Sequence, residues 1–159
     1  MSKINGKHAN IWIEENHPEN GLFRVYWKGI IDDDGLFNGG ATLDPDEGDG
    51  LRYEWYYKNG RKDGISRGWY PNGQLKTTFN WKGRMNGLQT EWYENGQKKL
   101  EGTQKDGKED GLFTEWYRNG QKRKEVIFKD GKPDGYWIYW DREGHFKWFS
   151  EWTDSRKVR

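Results

Sequence analysis

The sequence predicts an all-β chain: an elongated array of consecutive antiparallel β-hairpins in a single twisted sheet, with no significant helix. Three observations lead there. Residues 87–96, Gly-Leu-Gln-Thr-Glu-Trp-Tyr-Glu-Asn-Gly, return 24 positions later at 111–120 as Gly-Leu-Phe-Thr-Glu-Trp-Tyr-Arg-Asn-Gly. Self-similarity at such a period marks stacked units that share one extended core. Asn-Gly and Asp-Gly pairs punctuate runs of about 6–8 residues, the length of a strand. Aromatic residues then supply the core: Trp 11, Tyr 9 and Phe 7 bury large areas in a chain that is only 31% hydrophobic.

Residues 1–159 read as one array in three parts. In residues 1–50 the repeat is degenerate. Asn5-Gly6-Lys7 through Ile11-Trp12 opens with a turn and a strand, Val25-Tyr26-Trp27-Lys28-Gly29 echoes Phe79-Asn80-Trp81-Lys82-Gly83, and Asp34-Gly35-Leu36-Phe37 echoes Asp110-Gly111-Leu112-Phe113. The extra residues Ile30–Asp33 and Leu43–Asp49 read as lengthened loops. Residues 51–145 hold the regular 23–24-residue repeats, and the array amounts to roughly six units.

Two marks alternate through that regular part. One is Trp-Tyr-x-Asn-Gly, at Trp69 to Gly73, Trp92 to Gly96 and Trp116 to Gly120, with a decayed copy from Trp140 to Gly144. The other is Gly-x-x-x-Gly with Asp or Asn before its second glycine, ending at Gly64, Gly87, Gly111 and Gly135. Both pairs favour type I′ turns, because both central residues then need positive φ. Each unit is therefore two strands and two turns, and successive units continue as a meander. Alternation puts Leu112 and Trp116 on one face and Glu115 on the other, so Trp69, Trp92, Trp116 and Trp140 form a row with a step of about 9–10 Å. These tryptophans, with Gly73, Gly96, Gly120, Gly87, Gly111 and Gly135, are expected to be scaffold. Residues 146–159 depart from the repeat, and the aromatic run from Phe146 to Trp152 reads as a C-terminal cap.

Glu-Trp-Tyr-x-Asn-Gly-Gln-Lys followed by Lys-Asp-Gly-Lys-x-Asp-Gly resembles the bacterial variant of the MORN repeat, and most closely the YwqK-type antitoxins. The resemblance covers residues 51–145 closely and 1–50 in worn form. It implies consecutive hairpins in a long twisted sheet. It also implies an antitoxin or immunity protein that binds a cognate toxin and neutralises it by occlusion. Other MORN proteins resemble scaffolds or membrane-associated, self-assembling modules, which is the competing expectation.

Chemistry is hard to place on this chain. The sequence has no cysteine, so thiol catalysis, disulfides and zinc–thiolate sites are excluded. His8, His17 and His145 lie at different ends of the array, which implies no catalytic or metal cluster. No serine occupies a Gly-x-Ser-x-Gly elbow. The run Asp44 to Gly50 fails the calcium-loop pattern, since Trp55 stands at its twelfth position. No enzyme activity, cofactor or metal is expected. No stretch reaches the ~20 apolar residues of a helical membrane span, and the start of the chain has no apolar leader, so a cytoplasmic location is expected.

Net charge is +1, but residues 1–50 carry four basic and ten acidic side chains, a balance of −6. Asp32, Asp33, Asp34, Asp44, Asp46, Glu47 and Asp49 interrupt the repeat, and interrupted loops on regular scaffolds often carry function. They are the expected partner-binding residues, placed to steer a basic protein. At the other end Lys122, Arg123, Lys124, Arg156, Lys157 and Arg159 are interspersed with Glu125, Asp130 and Asp134, which argues against a nucleic-acid footprint.

Overall fold

The computed structural model describes residues 19–31, 37–42 and 50–159. Among these the chain forms strands β1 (Gly21–Ile31), β2 (Phe37–Thr42), β3 (Gly50–Lys58), β4 (Arg61–Trp69), β5 (Leu75–Lys82), β6 (Arg84–Trp92) and β7 (Lys98–Lys105). They continue as β8 (Lys108–Glu109), β9 (Gly111–Trp116), β10 (Lys122–Lys129), β11 (Lys132–Trp140), β12 (Phe146–Thr153) and β13 (Arg156–Lys157). All join one antiparallel sheet, and from β3 to β13 sequence neighbours are sheet neighbours, with β8 and β9 both on β7. The expected meander therefore holds over the regular repeats.

It fails at the N-terminal end. There β1 lies between β2 and β3 in the sheet order, pairing with β3 from Gly21 to Trp27 and with β2 from Tyr26 to Ile31. The chain leaves β2 at Thr42, opposite Tyr26, and re-enters at Gly50, opposite Trp27. The order of β1 and β2 is thus reversed relative to a simple meander, and Ile30 and Ile31 are strand rather than loop.

The turns correct a second expectation. Asn59 (φ 50) with Gly60 (φ 69), Asp106 (φ 52) with Gly107 and Asp130 (φ 52) with Gly131 have positive φ at both positions, as a two-residue type I′ loop requires. At Asn72-Gly73, Asn95-Gly96 and Asn119-Gly120 only the glycine is positive. Here the Gly96 N–H donates to Tyr93 C=O (2.9 Å) and the Tyr93 N–H to Gln97 C=O (2.8 Å). That is a type I turn closed by a left-handed glycine bulge, a three-residue loop. Asn95 Oδ1 accepts the Gln97 N–H at 3.2 Å, which fixes the loop from inside. The second glycines of the other mark are not turns: Gly64, Gly87, Gly111 and Gly135 pair with Trp81, Gln104, Phe128 and Trp152.

Neighbouring units are tied at their tips as well as through the ladder. Tyr70, Tyr93 and Tyr117 each donate their hydroxyl to the backbone C=O of the next unit's Trp92, Trp116 and Trp140, at 2.9, 2.8 and 3.0 Å. Asn72, Asn95 and Asn119 donate their amides to the C=O of Glu94, Arg118 and Arg142. On the opposite edge the N–H of Gly83, Gly107 and Gly131 donates back to Lys62, Met85 and Glu109.

Packing is concentrated on one sheet face, where Tyr57, Phe113 and Val126 are buried. Phe113 meets Phe128 edge-on at 5.5 Å, Phe128 meets Trp137, and Trp137 meets Trp152 at 5.3 Å. On this face a glycine makes room for a ring of the adjacent strand at two places. A Cβ on Gly68 would lie 2.6 Å from Tyr53 Cε1, and one on Gly102 would lie 2.3 Å from Phe113 Cδ1. Buried Ser66 and Ser150 accept the indole N–H of Trp81 (2.7 Å) and Trp152 (2.8 Å), so rings and serines satisfy each other.

The residues beyond 145 continue the array rather than leave it. Strand β12 pairs along β11, Trp148 stacks on Tyr139 at 4.0 Å, and β13 adds a last short rung.

Gly102→Ala should lower unfolding free energy by about 1–3 kcal/mol, the usual cost of overpacking, because the added methyl meets the Phe113 ring. Urea unfolding measures it, and a loss under about 0.5 kcal/mol would show that Phe113 moves aside freely. Tyr93→Phe should cost about 0.5–1.5 kcal/mol through the lost inter-unit hydrogen bond, read from the same curves.

Candidate functional site

The face opposite the aromatic packing carries three parallel rows, one residue per unit in each. The first is the tryptophan row, Trp69, Trp92, Trp116 and Trp140, on the same face as Ile65, Leu88, Leu112 and Tyr136, as alternation requires. Lysines of the paired strands lie over two of these rings: Lys98 Nζ is 5.7 Å from the Trp116 centroid and Lys122 Nζ 5.9 Å from that of Trp140. All four tryptophans are half-buried, and the backbone carbonyls of Trp92, Trp116 and Trp140 accept the tyrosine hydroxyls.

The second row is polar and partly buried. Glu54, 6% exposed, accepts Arg67 at 2.8 Å and Arg24 at 3.4 Å. In later units Glu101 and Glu125 take the place of Glu54 and pair with Lys98 and Lys122, while Thr90 and Thr114, buried beside them, take the place of Arg67. Two arginines thus hold the buried Glu54 carboxylate.

The third row is apolar and exposed. Ile65 is 41%, Leu88 49%, Leu112 53% and Tyr136 50% exposed, on four successive units. Leu22 and Tyr56 extend the row upstream, and Phe149, whose ring meets Tyr136 at 6.4 Å, extends it downstream. The pairing partners between them are Asn80, Thr103 and Ile127. Leu112 and Leu88 therefore share the tryptophan face as expected but are uncovered, because no second layer lies over that face among the described residues. A regular apolar row of this extent is what an interaction surface presents.

Asp32, Asp33, Asp34, Asp44, Asp46, Glu47 and Asp49 lie outside the described residues, as do His8 and His17. The apolar row is not among the features expected from the sequence. The signal was present as an aliphatic or aromatic residue after each kink glycine, at positions 65, 88, 112 and 136.

One cluster of metal-ligating types occurs among the described residues: Asp141, Glu143 and His145 at the last Trp-containing tip. Its carboxylate is already engaged. Asp141 Oδ1 accepts the N–H groups of Glu143 (3.1 Å) and His145 (2.9 Å), and Oδ2 meets Lys147 Nζ at 3.2 Å. Asp141 replaces the tyrosine of the other units and rebuilds the tip from its own carboxylate. A cation would have to displace the Lys147 ammonium, so a structural turn accounts for the cluster. The basic run beside it is paired: Arg123 and Lys124 reach Glu115 at 3.2 and 2.7 Å.

The geometry defines the class: a β-hairpin repeat protein with residue rows running along its sheet. Three consecutive stretches, residues 62–82, 85–106 and 109–130, match the MORN repeat variant. This central segment is thus similar to MORN repeats. No curated protein matches the sequence.

Partial desolvation pushes the Asp141 carboxyl up, but the His145 N–H and Lys147 outweigh it and hold it below its ordinary 3.8. A carboxyl with a lowered folded-state pKa stabilises above its unfolded value and loses that contribution as pH falls through the folded one. Asp141→Asn should therefore remove part of the acid-side loss of thermal stability below about pH 4 while leaving its shape near neutrality. An unchanged acid limb in melting curves would count against the Asp141 pairings.

Proposed function

We propose that the chain is a non-enzymatic protein-binding repeat array that neutralises a protein toxin by covering its working surface. The observation that carries the reading is the exposed apolar row Ile65, Leu88, Leu112 and Tyr136. A specific protein interface buries about 800 Å² on each partner, and one sheet face crossed by several units offers that area without any moving part. Leucines at the middle of the row would fill the partner's apolar pockets, and the flanking ion pairs Lys98–Glu101 and Lys122–Glu125 would form a polar rim. The resemblance to YwqK-type antitoxins supplies the kind of partner. The acidic balance of residues 1–50 suits a basic one, by steering its approach. Side-chain arrangements support binding rather than turnover: the carboxylates Glu91 and Glu115 are tied to Lys99, Arg123 and Lys124, and Ser66 and Ser150 are buried under indoles.

Co-expression with the product of the adjacent gene tests the reading. The wild-type chain should rescue growth and co-purify with that product. Leu88→Lys with Leu112→Lys should abolish both while changing stability by no more than about 1 kcal/mol, because both side chains are exposed. Rescue by the double variant at wild-type level, or a toxic neighbour untouched by the wild-type chain, overturns it. Concentration-dependent polymers in light scattering would favour the scaffold reading instead.

A further inference from the structure

The edge formed by the Trp-Tyr-x-Asn-Gly tips carries a second feature, separate from the apolar row. A cavity of about 630 Å³ is lined by Tyr93, Tyr117, Arg118, Asn119, Arg123 and Arg142. Its walls come from three successive tips: Tyr93 follows β6, Tyr117 to Asn119 follow β9, and Arg142 follows β11. Arg123 is supplied by β10, at the residue bulged out between Lys122 and Lys124.

The guanidiniums are held in place. Arg118 lies over the Tyr93 ring at 5.3 Å and Arg142 over the Tyr117 ring at 5.9 Å. Those rings are themselves anchored, because each phenol donates to the next unit's backbone. A guanidinium stacked on a fixed ring loses little further freedom on binding and keeps its N–H fork for an acceptor. Among the described residues neither Arg118 nor Arg142 has a carboxylate partner, whereas Arg123 shares Glu115 with Lys124. The cavity thus presents cationic donors in excess of the acid beside it.

We infer that this cavity is a binding site for a soluble di- or oligophosphate, held through its phosphoryl groups by Arg118, Arg142 and Arg123. Guanidinium forks match phosphoryl oxygens two at a time, which gives the site its chemistry. Like positions on successive units stand two strands apart, about 9–10 Å, so Arg118 and Arg142 suit a ligand with more than one phosphoryl group. A base gains nothing here: the tyrosine rings carry the guanidiniums and their hydroxyls are spent on the backbone. Recognition therefore stops at the phosphates. Glu94 and Glu143, exposed on the first and third of these tips, disfavour a planar anionic surface as the ligand.

Calorimetric titration of the full chain with inorganic pyrophosphate and with ADP at low ionic strength tests the site, alongside sedimentation with anionic vesicles. Pyrophosphate and ADP should bind within about threefold of each other. Arg118→Gln and Arg142→Gln should each weaken both by about tenfold or more, through loss of charge-assisted hydrogen bonds. Arg156→Gln, on the last strand, should leave affinity within about twofold. All of these residues are exposed, and melting curves verify that the variants are folded. Four results each overturn the inference: no binding of pyrophosphate, equal losses in Arg156→Gln and Arg118→Gln, ADP binding far more tightly than pyrophosphate, or binding confined to vesicles.

Discussion

The hydrogen bond from each tip tyrosine to the next unit's tryptophan carbonyl is the contact on which the array depends. A one-layer sheet has little apolar burial per residue, and its strand ladder alone fixes spacing without fixing how one hairpin tip lies against the next. Tyr70, Tyr93 and Tyr117 supply that second constraint at nearly constant length, and the asparagine amides at 72, 95 and 119 repeat it one loop further out. Each unit needs the following one to satisfy its tip, as expected of a fold whose stability is a sum of unit and neighbour terms. At the last tip Asp141 takes the tyrosine's place and bonds its own loop, so the chain of dependence closes there.

From that constraint follows the use of each face. Tips held in register keep like residues in straight rows, so any chemical property that recurs in the repeat becomes a linear surface feature. On the packed face the rows are aromatic rings over glycines and serines, which removes area from water with few residues. On the other face they are tryptophan with lysine, threonine with glutamate, and an uncovered apolar row. Along the tip edge they are tyrosine and arginine. A thin repeat array turns sequence periodicity directly into linear surface features.

Much of this was legible in the residues. The period, the strands and the shared face of Leu112 and Trp116 follow from spacing alone, because alternation along a strand is purely geometric. The turn types did not follow. Asn59-Gly60 and Asn95-Gly96 are the same dipeptide, yet one is a two-residue loop and the other ends a three-residue loop. The difference lies in which flanking residues pair, Lys58 with Arg61 in one and Trp92 with Lys98 in the other. The order of β1, β2 and β3 was equally hidden, since the worn repeats of residues 1–50 carry too few matching positions to set a register.

What the sequence by itself determined is the unit: two strands, two turns, a tryptophan and a tyrosine at one tip, and the repetition of all of them. These are local properties, set by side-chain alternation and by which residues tolerate positive φ. The tertiary structure decided which rows are covered. Leu112 and Phe113 are adjacent and equally apolar, but Phe113 lies over Gly102 and against Phe128 while Leu112 remains 53% exposed. Burial depends on what the neighbouring strands place opposite a side chain, and that is fixed only once the whole sheet has assembled.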